Sequence, residues 1–451
     1  MSSSARPLGA FLVVWFGQLV SFAGSALTGF AVSLEIYRVS GSITELSIAT
    51  FFSIFPTVVL SPLAGALVDR WNRRRAMLFA DGGAAAGALL VWALLVAGRH
   101  GAIDLRPWHL YVPITMWSAF DAFRLPAYQA ATTVLVPPEH RGRANGLIDL
   151  SQSIGQIAGP AVSAWLVTRF GVESVVEVDL ATFALALASL AAVRFPEPTS
   201  VGGERRGVDT LWQEFLYGWR FLRASRGLTA LTALLAAQNV VMGMVTVLVT
   251  PMVLHVGDVT ALGRVLSTAG LGMLAGALAM SVWGGPRRRM HAVVTFTFIS
   301  GIALFVGALP ATVARIATSA ALFLFCAPIV AGCTVAIWQK AVPPQMQGRV
   351  FALRRMIGSA SLPIGNLVAG PLADRVFEPW LADGGALAGT IGRAVGVGPG
   401  RGLGLLFVAL GGLRVATAAA AHLHPALQRV EDDTASDEPV PVAPPAPLRP
   451  R

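Results

Sequence analysis

The chain has 451 residues, 55% of them hydrophobic and only 13% charged, with a formal net charge of +10. Soluble domains carry about 25% charged residues, so this composition excludes a soluble globular protein and points to one that crosses a membrane many times. The positive charge is no mark of nucleic-acid binding, because the arginines cluster in short links between apolar runs, where the inside-positive rule puts them.

A membrane-spanning helix needs roughly 20 apolar residues, and about twelve such runs follow one another. The first covers 8–37 and holds Gln18, Ser21 and Ser25; it is too long for a cleavable signal peptide. The second (43–68) and third (76–97) flank a tight basic turn, Gly65-Ala66-Leu67-Val68-Asp69-Arg70-Trp71-Asn72-Arg73-Arg74-Arg75. One acid among four arginines at so short a turn has the look of a latch. Gly65, lacking a side chain, would let a neighbouring helix come close.

The fourth run (108–136) carries Asp121 and Arg124 within it, and a short link, Val136-Pro137-Pro138-Glu139-His140-Arg141-Gly142-Arg143, leads to the fifth (145–167). The sixth covers 175–193, with Glu177 and Asp179 toward its outer end and expected to be solvated. A longer polar segment, 194–226, starts loop-like and then repeats Trp212, Phe215, Leu216, Trp219 and Leu222 at helical spacing, which predicts an amphipathic helix lying in the membrane interface.

Six further runs cover 228–254, 262–283, 292–309, 313–337, 351–373 and 402–423. Cys326 and Cys333 share one of them, about 10 Å apart along a helix, and are expected to be packing residues rather than a disulfide. From Pro425 the chain turns proline-rich and acidic and is expected to be disordered. The domain plan is a bundle at 1–195, a cytoplasmic linker at 196–226, a second bundle at 227–424 and a tail at 425–451. The basic residues fall on alternate links, which puts both termini in the cytoplasm.

The two halves resemble each other. Val136-Pro137-Pro138 with Gly142-Arg143 returns as Val342-Pro343-Pro344 with Gly348-Arg349, an offset of 206 residues (348 − 142) that also takes Gly159 to Gly365. A second, inverted likeness pairs Gly65-Ala66-Leu67-Val68-Asp69-Arg70, closing span two inside, with Gly370-Pro371-Leu372-Ala373-Asp374-Arg375, closing span eleven outside. Related six-span halves are a transporter architecture, with substrate bound near mid-membrane between them.

On the basic turn, the two Val-Pro-Pro…Gly-Arg links and the span-five motif, the chain resembles the major facilitator superfamily, and within it the bacterial branch of the enterobactin exporter and the macrolide-efflux proteins. The resemblance implies an all-α membrane protein with twelve transmembrane helices in two pseudo-symmetric six-helix bundles. In the superfamily the turn reads G-x-x-x-D-R-x-G-R-R; Gly65, Asp69, Arg70, Arg73 and Arg74 match it. Asn72 replaces a glycine and would keep a left-handed turn possible. The family role, docking on the other half to steady one access state, would fall to Asp69. Gly155, Gly159 and Pro160 match the G-x-x-x-G-P motif of drug/proton antiporters, with Ser163 where a further glycine is usual.

Charged groups inside spans are costly and hence candidate functional residues. Asp121 and Arg124, three apart on one helix face, form either a proton carrier with its partner or a permanent ion pair between helices. Gln18, Ser21, Gln238, Asn239, Trp338 and Gln339 are candidates to line a substrate cavity. Together these readings predict a proton-coupled exporter of amphipathic molecules (drug, antibiotic or siderophore) in the bacterial plasma membrane, acting as a monomer without metal or cofactor. Its partners would be a small-molecule substrate, protons and the lipid bilayer. The alternatives are a proton-coupled nutrient importer and a non-transporting membrane sensor. Scattered histidines and the lack of a nucleotide-binding loop argue against an enzyme.

Overall fold

The computed structural model describes residues 5–68, 70–193, 195, 218–308, 312–390, 397–398 and 400–431. Among them there is no strand, and twelve helices are of 20 residues or more. They are α1 (Ala5–Ser40), α2 (Ile43–Val68), α3 (Arg73–Arg99), α4 (Pro107–Leu135), α5 (Arg141–Phe170), α6 (Val172–Ala192), α7 (Arg226–Val256), α8 (Val259–Trp283), α9 (Arg289–Ala308), α10 (Val313–Ala341), α11 (Pro344–Leu372) and α12 (Arg401–Leu423). Ten of these are long and apolar enough to cross a membrane; α4 and α5 are the two whose composition falls short. Both are diluted by polar residues, Asp121 and Arg124 in α4, and Asp149, Gln152 and Gln156 in α5.

Local chemistry sets the helix ends. Ser225, Asp258 and Thr312 cap α7, α8 and α10, their side chains accepting from the backbone N–H of Leu228, Ala261 and Arg315. Gly171, at φ +92, turns the chain from α5 into α6 in a single residue. Asn72 caps α3, accepting from the backbone N–H groups of Arg74 and Arg75. Its φ of −59 is not left-handed, so it replaces the family glycine as a cap and not as a turn former.

The duplication read from sequence is visible in the packing. In the first half α1 packs on α5, α3 on α4, α2 on α4 and α3 on α6; six helices later α7 packs on α11, α9 on α10, α8 on α10 and α9 on α12. The halves meet through α5 with α8 and α2 with α11, which are also related by the six-helix shift. Gly159 and its repeat partner Gly365 sit at equivalent crossings. A Cβ on Gly159 would touch the Ala26 methyl of α1, and one on Gly365 would meet the Val240 carbonyl of α7 at 2.0 Å.

The halves share apolar cores only at one end. Near the α1–α2 and α7–α8 turns, Ile43 and Leu46 pack into a cluster with Val247, Leu248, Ala369 and Leu406. At the arginine-rich end each half has its own core, around Met77, Leu135 and Ile148 in one and around Met290, Ile337 and Trp338 in the other. The molecule is therefore joined at one face and parted at the arginine-rich face. Gly65, near the parted end, has nothing within 4 Å of where a Cβ would stand, so the close helix approach expected there does not occur in this conformation.

This contrast gives a test. Gly365→Ala drives a methyl into backbone and is expected to cost about 1–3 kcal/mol. Gly65→Ala meets open space and, at a helical position, is expected to be neutral or stabilising by up to about 1 kcal/mol. Thermal unfolding of the purified variants measures both.

The linker and tail lie largely outside the described residues. Residues 218–224 are helical; Leu222 is buried, and the Arg223 guanidinium lies 4.7 Å from the centre of the Trp219 ring. The first residues of the acidic tail are ordered, unlike the expectation. Pro425–Arg429 is a short helix with Leu427 buried, because Leu427 and Val430 give it an apolar side that packs on α7 beside Gly227. Cys326 and Cys333 are free and buried, as packing residues should be.

Candidate transport site

The first half encloses a cluster of charged side chains built by four helices. Arg124 of α4 is its hub, with a side chain only 1% exposed. Its Nε donates to Asp81 Oδ1 of α3 at 3.0 Å, Nη1 to Asp121 Oδ1 at 3.2 Å and to Ser25 Oγ at 3.2 Å, and Nη2 to Ser21 Oγ at 2.8 Å. The guanidinium also lies 4.5 Å from the centre of the Phe22 ring and 5.2 Å from that of Phe183. Gln18 Nε2 donates to the other Asp81 oxygen at 2.6 Å. Arg124 is thus held by charge, hydrogen bonds and ring faces together, which is what a cation in an apolar bundle requires.

The acids differ in exposure. The Asp81 side chain is 2% exposed, whereas that of Asp121 is 44% exposed and faces a cavity. Asp179 of α6 is fully buried, with Oδ2 unpartnered among the described residues, and lies within electrostatic range of Arg124. The expectation of a solvated Asp179 is therefore overturned. Its neighbour across the α1–α6 contact is Gly24, whose missing side chain makes room for the carboxyl group between the helices. Two carboxyl groups thus pair with one guanidinium, and a third lies within its electrostatic reach.

Two cavities adjoin the cluster. One of about 350 Å³ is the more polar of the two, with Ser25, Ser33, Ser53, Trp117, Asp121, Arg124 and Gln152 among apolar side chains on its walls. The second, of about 560 Å³, lies between the halves and is mostly apolar, with Phe30, Met242, Met252, Met273, Phe323 and Phe407 on its walls. Both are bordered by Ala26, Gly29, Ser33, Gly155 and Gln156, so the polar recess gives onto the apolar chamber. Methionines and aromatic rings make an adaptable apolar surface.

The residues singled out from sequence fall in several places. Asp121 and Arg124 are joined as an ion pair at the recess. Gly155 and Gly159 set α5 close against Phe22 and Ala26 of α1, and Pro160 borders the chamber. Ser163, standing where a glycine is usual, donates its hydroxyl to the Leu27 carbonyl at 2.8 Å and so ties α5 to α1. Gln18 and Ser21 belong to the charged cluster and line neither cavity. In the second half, Gln238 Nε2 donates to Thr297 Oγ1 and Asn239 Nδ2 to the Gly358 carbonyl, both between helices. Trp338 is buried in the core and Gln339 is exposed near the arginine-rich end. None of these four borders either cavity: Gln238 and Asn239 are spent on neighbouring helices, while Trp338 faces the core of the second half and Gln339 the exterior.

In the basic turn, Arg73 donates to the Val68 carbonyl, and Arg74 to the Leu190 and Ala191 carbonyls at the end of α6. Arg70 is exposed, and Asp69 lies outside the described residues. Asp81 escaped the reading of the sequence. Its signal was available: it is the only acid in the apolar run 76–97.

The second half also buries a cation. Arg414 of α12 donates to Ser300 Oγ at 2.6 Å and lies 4.7 Å from the centre of the Phe323 ring, with no carboxylate partner among the described residues.

The model of the Major Facilitator Superfamily matches residues 14–366. The chain belongs to the major facilitator superfamily. It is a multi-pass membrane transporter of that superfamily, and its relatives include efflux pumps. Macrolide efflux protein A of Streptococcus pyogenes is 29% identical over 399 residues, covering 84% of this chain and 93% of the relative. Multidrug efflux pump Tap of Mycolicibacterium fortuitum is 26% identical over 376 residues, covering 81% and 90%. Among solved structures, a bacterial homologue of the lysosomal transporter Spinster, inward-facing and unoccupied, superposes with a TM-score of 0.65 at 14% identity, covering 96% of this chain and 98% of that one. A D-xylose–proton symporter superposes with a TM-score of 0.66 at 12% identity, covering 92% and 97%. At these identities the structures establish the fold of a major facilitator superfamily member and not its cargo.

Proposed function

We propose that the protein exports amphipathic small molecules from the bacterial cytoplasm in exchange for protons, by alternating access of its two halves. The observation that carries this reading is the recess lined by Asp121 and Arg124, with Asp81 and Asp179 buried behind it, opening onto an apolar chamber between the halves. More carboxyl groups than counter-charges is the arrangement a proton carrier needs. An apolar chamber with a few polar groups at one end suits a molecule that is itself lipophilic with one polar end. The relatives named for macrolide and multidrug efflux favour export over import.

In this reading Asp121 exchanges its proton with the cavity, because it is the acid that faces it. Arg124 bridges Asp121 to Asp81 and to Ser21 and Ser25 of α1. A change of charge on Asp121 therefore alters how α4 grips α1 and α3, and through α1 the α5 helix that contacts the other half. The arginine-rich links are cytoplasmic, as are both termini, and the parted face is the inner one. The halves are 1–195 and 227–424, joined by 196–226, with 425–451 as a tail; the unit of function is the monomer.

The test is a growth-inhibition panel in an efflux-deficient bacterial host. Expression is expected to raise the inhibitory concentration of lipophilic antibiotics, a macrolide among them, severalfold. If expression instead increased cellular accumulation of a polar nutrient and protected against none of the panel, the importer reading would replace this one.

A further inference from the structure

The two halves are joined at the face opposite the arginine-rich links, and among the described residues one side chain makes every hydrogen bond between them. It is Asp374. Its Oδ2 accepts from Ser42 Oγ at 2.9 Å, from the Thr44 backbone N–H at 2.8 Å and from Thr44 Oγ1 at 2.8 Å. All three donors lie at the start of α2, where backbone N–H groups lack helical partners and the helix dipole favours an anion. The acid capping α2 comes from the other half of the molecule.

The local backbone aims it. α11 does not stop at Leu372 but widens into a π turn, Ala373–Phe377, which contains Asp374. Such turns insert a residue and redirect side chains, and they recur at functional positions. One turn earlier, Gly370 brings α11 against α2: a Cβ there would meet Thr44 Cα and Ser47 Oγ at 2.5 Å and the Ile43 carbonyl at 2.6 Å. The glycine sets the crossing and the acid four residues on fastens it. Gly370-Pro371-Leu372-Ala373-Asp374-Arg375 is the stretch that mirrors Gly65-Ala66-Leu67-Val68-Asp69-Arg70 at the far end of α2.

We propose that Asp374 is the outer lock of the transporter, a positioning residue that holds the inward-open state by capping α2 of the opposite half. The lock must release for the chamber to open outward. Its strength then sets the ratio of the two access states in the absence of cargo and gradient.

The experiment reads that ratio directly. Spin labels go on Val112→Cys and Val256→Cys at the joined face, and in a second sample on Ala192→Cys and Leu423→Cys at the parted face; these sites are exposed, and the native Cys326 and Cys333 are buried. Inter-label distances are measured by pulsed electron resonance in lipid nanodiscs. Asp374→Asn is expected to lower the inward-to-outward ratio about tenfold, about 1.4 kcal/mol, with longer distances at the joined face and shorter ones at the parted face. Ser42→Ala with Thr44→Val, which strips two of the three donors from the other half, is expected to shift it the same way. Adding Asp374→Asn to that pair is expected to shift it by less than the sum of the two. Distances unchanged in the donor variant, or strictly additive shifts, would overturn the proposal. Should Asp374→Asn fail to accumulate, the donor variant decides alone. No substrate or proton gradient enters the measurement, so its outcome is independent of whether protons drive export.

Discussion

Arg124→Gln is expected to destabilise the protein by about 3–5 kcal/mol, the cost of breaking a buried ion pair and stranding its partner. The loss comes from Asp81, whose carboxylate is 2% exposed and would keep only Gln18 as a donor. The measurement is thermal unfolding of the purified protein, read as a lowered midpoint and a smaller monodisperse fraction. A control separates charge from shape. Asp81→Asn in the Arg124→Gln background removes the stranded anion and is expected to recover most of the stability, while transport stays lost. If the double variant were no more stable than the single one, Arg124 would matter for its packing between Phe22 and Phe183 rather than for its charge.

Asp121→Asn is expected to behave in the opposite way. Its side chain is 44% exposed to the recess, so neutralising it costs little stability, within about 0.5 kcal/mol. Gradient-driven transport is expected to fall to the background of vesicles without the protein. Exchange of labelled for unlabelled substrate without a gradient is expected to persist, because that half-cycle needs binding and alternation but no net proton movement. Loss of both activities would place Asp121 in substrate binding; retention of both would remove it from coupling.

Much of this was legible in the chain itself. Hydropathy and the spacing of basic turns gave the helices and their two-fold plan, since a bilayer demands long apolar segments whatever lies between them. Asp121 and Arg124 could be paired because three residues on a helix share a face. Asp81 could not be joined to them, because it stands on another helix and its partnership is created by packing. Asp179 misled for the same reason: its place near a span end suggested water, yet Gly24 of α1 makes room for it in the bundle interior. The polar side chains of α7 and α10 looked like cavity lining from their span alone, but which face of a helix meets the cavity depends on its rotation against its neighbours. Asn72 is a lesson in local chemistry, for its small polar side chain served as a helix cap and not as a stand-in for glycine flexibility.

The proposed exchange of cargo for protons runs through the recess that Asp121 and Arg124 line in the first half. Everted membrane vesicles containing the protein expose its cytoplasmic face to the medium, and acidifying their lumen imposes the gradient met in the cell. With a labelled macrolide as probe, the vesicles are expected to accumulate label in a manner that collapses when a protonophore is added and is absent from Asp121→Asn vesicles. Accumulation unaffected by the protonophore, or undiminished in Asp121→Asn, would contradict it.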